Sequence, residues 1–127
     1  MKRLVIVAIA LLLTGCAATH QVARDLTVMN DPGNFSLHIG SVENFSHRMD
    51  YRWENPAGKA TVRQASSVTG GVATLEVRDA AGRLVHSKSL REQGSFVTSE
   101  GKPGTWRIGV ILGRTTGSVT FEVRRNG

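Results

Sequence analysis

From Asp25 to the C-terminus, apolar and polar residues alternate with a period of two rather than the 3.6 of a helix. Leu26 and Val28 alternate with polar neighbours. Asn30-Asp31-Pro32-Gly33-Asn34 then predicts a turn, because proline presets φ and glycine accepts a positive φ. Phe35, Leu37 and Ile39 mark the next apolar face. Phe45, His47, Met49, Tyr51 and Trp53 mark another, with Ser46, Arg48, Asp50 and Arg52 on its reverse. The spacing predicts two adjacent half-buried strands, joined about Val42 and Glu43.

Beyond a loop at Asn55-Pro56-Ala57-Gly58, a strand carrying Ala60 and Val62 runs towards Val68, and Gly70-Gly71 reads as its turn. Ala73, Leu75 and Val77 form a further face. Asp79-Ala80-Ala81-Gly82 has the composition of a hairpin loop, and Leu84, His86 and Leu90 follow until Gly94 breaks the run. Trp106, Ile108, Val110 and Leu112 alternate with polar or small residues, Gly113 to Gly117 is expected to turn, and Val119, Phe121 and Val123 close the chain. About eight short strands without a helical pattern predict an all-β, antiparallel β-sandwich, immunoglobulin-like or jelly-roll-like.

The first residues do not belong to that pattern. Lys2 and Arg3 precede ten consecutive apolar residues, Leu4 to Leu13. A run of that length is too short to cross a bilayer, which takes about 20 residues, and fits the apolar region of an export signal. It ends on Leu13-Thr14-Gly15-Cys16, which holds the chain's single cysteine. Export places the protein in an oxidising compartment, but one cysteine forms no internal bridge.

Leu13-Thr14-Gly15-Cys16 resembles the lipobox of bacterial lipoproteins, and the resemblance covers residues 1–17. It implies cleavage between Gly15 and Cys16, a diacylglycerol on the Cys16 sulfur and a further acyl chain, typically palmitate, on the new amino group. Two or more long chains give stable anchoring where one does not, since each buried methylene contributes about 0.8 kcal/mol. Ala17, in place of the aspartate that retains many such proteins at the inner membrane, implies the periplasmic face of the outer membrane of a Gram-negative bacterium. The expected organisation is a leader over 1–15, a lipidated N-terminus and tether over 16–24, and the sandwich over 25–127. As a coil the tether would reach about 15 Å.

Removing Lys2 and Arg3 with the leader lowers the formal charge from +6 to +4, and the longest basic run left is Arg124-Arg125. Nucleic acid is therefore not an expected partner of an exported domain. This mild positive charge reads first as an ordinary solvated surface, and the sharper alternative is weak, salt-sensitive attraction to anionic lipid or lipopolysaccharide phosphates.

Candidate chemistry is sparse. His38 and His47 lie on neighbouring predicted strands, but the register that would pair them sets apolar residues opposite polar ones, and zinc needs three or four ligands. Neither a metal nor a cofactor is expected, and His47 reads as a core or rim histidine. There is no G-x-S-x-G and no helical H-E-x-x-H, so the chain is read as a binding or structural module rather than an enzyme. Trp106 belongs with the core. Tyr51 and Trp53, at a strand end beside a Pro-Gly loop, are the candidate ligand-binding residues, as an exposed aromatic platform for glycan or peptidoglycan. The leading expectation is a membrane-anchored envelope protein whose partner is another envelope protein. Asn34-Phe35-Ser36 and Asn44-Phe45-Ser46 read as two strands that start alike.

The ending PGTWRIGVILGRTTGSVTFEV resembles the closing hairpin of bacterial extracellular sandwich modules, including jelly-roll domains appended to secreted enzymes. That resemblance implies a fold and no activity.

Overall fold

The computed structural model describes residues 4–7 and 21–127, and Cys16 with the leader's processing site lies outside them. Strands β2 (Val22–Asp31), β3 (Asn34–Asn55), β4 (Ala60–Gln64), β5 (Ser67–Arg78), β6 (Leu84–Ser89), β7 (Gly94–Val97) and β8 (Gly104–Arg125) form the domain. A short β1 (Leu4–Val7) pairs antiparallel with Leu26–Met29 on the outer side of β2. Every pairing is antiparallel and there is no helix among the described residues, as the period of two requires.

Two strands of 22 residues each organise the domain. β3 and β8 stay paired from Asn34↔Arg124 to Asn55↔Gly104, while their outer neighbours change along the way. The first half of β3 carries β2, and the second half of β8 carries β4 and then β7. The first half of β8 carries β5 and then β6. The ribbon thus belongs to two sheets, and where it bends one sheet closes over the other as in a sandwich.

The bend lies where turns were expected. The register slips between Ile39 and His47 on β3, and between Val68 and Val72 on β5. Asn44 and Arg114 take φ of 47°, Gly71 of 75° and Gly117 of 134°. These are bulges, in which extra residues increase the local bend without ending the strand. Displaced backbone donors find hydroxyls instead: Asn44 N donates to Thr116 Oγ1 at 3.0 Å and Arg114 N to Ser46 Oγ at 2.9 Å. The expected connections about 42–43, 70–71 and 113–117 are therefore corrected to bends within β3, β5 and β8. The two Asn-Phe-Ser copies lie on one strand.

The true hairpin turns follow the sequence. Pro32-Gly33 joins Asp31↔Asn34 with Gly33 at φ 76°, as a turn with proline first and glycine second requires. At the β5–β6 loop, Asp79 Oδ1 accepts from Ala81 N (3.0 Å) and Arg83 N (2.8 Å), while Oδ2 accepts from Lys102 N (2.8 Å). Gly82 supplies the positive φ of 85°. β2 begins at Val22, with Ala23 already buried and opposite Val42, so the domain starts three residues earlier than the expected boundary.

The core is the set of alternating residues read from the sequence: Phe35, Leu37 and Ile39, Leu75 and Val77, Trp106, Ile108 and Val110, and Val119, Phe121 and Val123, all buried. Ring contacts run both across the fold and between paired strands. Phe35 from one sheet meets Tyr51 from the other at 5.3 Å, and Trp53 meets Trp106 edge-on at 5.9 Å and 87°. Edge-on aromatic pairs add about 1 kcal/mol beyond area burial. The buried Gln64 is fully bonded: its Nε2 donates to the Ser89 and Glu92 carbonyls, and its Oε1 lies 3.1 Å from His86 Nε2.

Candidate functional site

The second half of β3 is an edge. Beyond Phe45 it pairs with β8 on one side, and no described strand pairs with the other. Two of its outward carbonyls are already used, Arg52 O by Asn30 Nδ2 at 2.8 Å and Glu54 O by Gly33 N at 2.8 Å. In an antiparallel pair, alternate residues point both backbone groups at the partner strand or both away from it. Arg52 and Glu54 therefore set the phase, and the backbone N–H and C=O of Arg48 and Asp50 face outward on the same edge with no strand to receive them among the described residues.

Beside that edge lies an apolar groove of about 220 Å³, lined by Ala23, Leu26, Ile39, Phe45, His47, Met49 and Tyr51. The face read from the sequence as continuous changes character along its length. Phe45 and Trp53 are buried at its ends, whereas Met49 and Tyr51 are half-buried and His47 is exposed. The middle is core-facing sheet over which no element of the described residues is laid. The Tyr51 hydroxyl points at Met49 Sδ, 3.7 Å away, and burial raises the phenol above its ordinary pKa, so it is a neutral donor throughout the physiological range.

Trp53 does not form a platform. It is 1% exposed, and its Nε1 donates to the Asp31 carbonyl at 3.0 Å. The strand end beside the Pro-Gly loop is covered by the β2–β3 turn, which withdraws Trp53 as a ligand-binding residue and leaves Tyr51 in the groove. Trp106 is buried as expected, its Nε1 bonded to Lys102 O at 2.8 Å.

The histidines are dispersed. His38 Nδ1 lies 2.8 Å from Thr120 Oγ1 on the outer face of the other sheet, and His47 stands on the groove rim beside Phe45, 5.7 Å between rings. The two sit on one strand and do not oppose each other. No cluster of three or more His, Cys, Asp or Glu exists among the described residues. His86 is buried at 7% exposure between Gln64 and Phe96, and desolvation, with Lys88 adding to it, lowers its pKa to about 4. The ring is neutral, and its Nε2–H donates to Gln64 Oε1.

The outer face of β3, β8 and β5 carries a feature that sequence reading missed. Register aligns Arg52 with Arg107 and Arg107 with Arg78, so three arginines stand in one row across three adjacent strands. The next row is Asp50, Gly109 and Glu76. Arg48 reaches over Gly109 to Asp50 Oδ2 at 3.0 Å and Glu76 Oε1 at 4.0 Å, neutralising much of the acidic row. Only the pairing register brings these residues together, because they are separated by up to 61 positions in sequence, from Arg48 to Gly109.

What these features define is an all-β, sandwich-like domain with an open edge and groove on one side of β3 and a basic row on the other. No protein-family model matches the chain, and neither does any curated protein. Among solved structures, an arabinose-bound α-L-arabinofuranosidase aligns with 95% of this chain over 26% of its own length, at 17% identity and a TM-score of 0.29. This chain thus corresponds to about a quarter of that enzyme, and a likeness at this score carries no argument about activity.

Proposed function

We propose that this chain is an exported lipoprotein, anchored through Cys16, whose sandwich binds an extended segment of another envelope protein along the free edge of β3. The observation that carries the reading is the junction of two features: outward backbone groups at Arg48 and Asp50, and the apolar groove beside them. An added strand takes main-chain hydrogen bonds from the edge and places alternate side chains in the groove, which gives affinity and specificity by separate means. The charged Arg48 and Asp50 suit an edge that must resist indiscriminate pairing while remaining open to one partner. The lipobox motif supports the anchor, and Ala17 supports outer-membrane placement.

Strand addition distinguishes this reading from a glycan platform, which needs a flat aromatic face. The test is photocrosslinking in cells from a reactive residue at Met49, with Arg63 on β4 as the remote control. A discrete protein adduct from position 49 alone is expected. Asp50→Pro removes one outward N–H without touching the β8 ladder, a placement proline tolerates on edges, and should abolish the adduct while the domain stays folded. An adduct that survives Asp50→Pro in a folded domain removes strand addition. For the anchor, Cys16→Ala should release the protein from the membrane fraction, and an unmodified mature mass in the wild type would rule lipidation out.

A further inference from the structure

We infer that the arginine row Arg52–Arg107–Arg78 is a binding site for phosphate groups. Like charges directly opposite one another on neighbouring strands destabilise a sheet, and here three are stacked in succession. The carboxylates that would ordinarily relieve such a row are engaged elsewhere. Asp79 turns its oxygens to the backbone N–H groups of Lys102, Arg83 and Ala81, and Glu54 Oε2 accepts from Thr105 Oγ1 at 2.7 Å. Asp50 is held by Arg48, which also reaches Glu76. Arg78 is steadied by a bond from Nη1 to Gly82 O at 3.1 Å, whereas the guanidinium groups of Arg52 and Arg107 have no hydrogen-bond or ion-pair partner among the described residues.

The surface around the row is concave. A hollow of about 510 Å³ is bounded by Arg52, Arg78, Arg107 and Thr105 together with the Asp79–Gly82 loop. A smaller hollow of about 220 Å³ adjoins it over Gly109. Glycine at 109 makes that second depression, since a Cβ there would stand 3.1 Å from Asp50 Oδ1 and 3.5 Å from Arg48 Nη2. Arginines carried side by side on three adjacent strands, whose backbones run about 4.8 Å apart, can converge on an anion that spreads charge over several oxygens. Arginine's planar fork binds such oxyanions in bidentate fashion, which suits phosphate over a halide or a lone carboxylate. The phosphate belongs either to a lipid headgroup or to a soluble species, and the chemistry of recognition is shared.

Arginine footprinting with phenylglyoxal on the intact chain, read by mass spectrometry, tests the site against an internal control. Pyrophosphate at low salt should slow modification of Arg52 and Arg107 about tenfold, an effect of about 1.4 kcal/mol, and leave exposed Arg63 on the opposite sheet unchanged. Protection should fade as added salt screens the row. Repeating the measurement on vesicles of phosphatidylglycerol and of phosphatidylcholine, without pyrophosphate, separates the sources. Protection by the anionic vesicles as well assigns a headgroup, and protection by pyrophosphate alone assigns a soluble ligand. Arg52→Gln should abolish the protection of Arg107, whereas Arg63→Gln, with the same loss of charge, should preserve it. Absence of protection by pyrophosphate and by anionic vesicles, or equal protection of Arg63, overturns the proposal.

Discussion

Replacing Gly117 by alanine and, separately, Gly113 by alanine distinguishes a bent strand from a turn. Both glycines lie in the segment that sequence alone marks as a turn, and a turn would make them comparably sensitive. In the bent strand they differ sharply. Gly117 has φ 134°, and a methyl group there would overlap the Ser67 carbonyl oxygen and approach Val68 Cα to 3.0 Å. Backbone strain of that kind costs about 1–3 kcal/mol. Moving the Ser67 carbonyl aside also disrupts the Ser67↔Ser118 pairing at about 1 kcal/mol per ladder bond. Gly117→Ala should therefore destabilise by about 2–4 kcal/mol. Gly113 has no positive φ, and the nearest atom to an added methyl is Val72 Cβ at 3.9 Å, so Gly113→Ala should be neutral or stabilise by about 0.5 kcal/mol through the unfolded chain. Thermal unfolding followed by near-ultraviolet circular dichroism reads the difference, at about 4 °C per kcal/mol for a domain of this size. Equal effects at the two positions, or a Gly117→Ala midpoint within ~4 °C of wild type, would refute the bulge as the cause of the bend.

Trp53→Phe keeps an edge-on partner for Trp106 but removes the bond to Asp31 O, and should cost about 2 kcal/mol by urea titration. Trp53→Ala should cost about 3–5 kcal/mol, and a Trp53→Ala protein as stable as wild type would contradict its burial. His86, whose folded pKa is depressed to about 4 from 6.5, binds its proton more readily in the unfolded chain, so the stability of its neutral form is complete above 6.5 and lost as pH falls towards 4. At pH 5 the loss relative to pH 7.5 is at most about 2 kcal/mol, and about 1 kcal/mol after allowing for solvent screening. His86→Gln should flatten that part of the pH profile, and an unchanged slope would rule the residue out as its source. Asp79, held below its ordinary carboxylate range chiefly by the Lys102 and Arg83 backbone N–H groups, loses its contribution only at more acidic pH, as pH falls through its folded value. Asp79→Asn should therefore alter the acid limb below that of His86.

Alternation alone was enough to read the all-β class and nearly the whole core, because a half-buried strand shows its period without any tertiary information. Phe35, Leu75, Ile108 and Phe121 are buried where the pattern put them. The count and length of strands were less legible. Glycine and asparagine with positive φ serve hairpin turns and β-bulges alike, and the difference lies in whether hydroxyls such as Ser46 and Thr116 take over the ladder bonds. Pro32-Gly33 was unambiguous because proline cannot continue a central ladder, whereas Gly70-Gly71 and Gly113 to Gly117 carried no such restriction. Trp53 was misplaced for a related reason: a strand end beside a loop looks exposed in sequence, but the preceding hairpin folds across it. The arginine row could not be read at all, since each member looks like an ordinary outward residue until register is known. The β4–β7 edge shows the same limit, because Gly94 marks the start of a strand and not simply a break.

The two faces of β3 give the candidate sites a shared geometry. An added strand at the free edge would direct alternate side chains into the groove beside Met49 and Tyr51, and the others over the face that carries Arg48, Asp50 and Arg52. A segment with apolar residues on one face and acidic residues on the other would satisfy both, and its acidic face would compete with phosphate for Arg52 but not for Arg78, two strands away. Ala23, which lines the groove, is seven positions from Cys16, a stretch that spans about 24 Å at most when extended. Under the proposed anchoring, the groove is therefore confined close to the bilayer surface. A partner reaching it must be membrane-proximal, whereas Arg52, beside Asn30 at the other end of β2, stands farther from the tether.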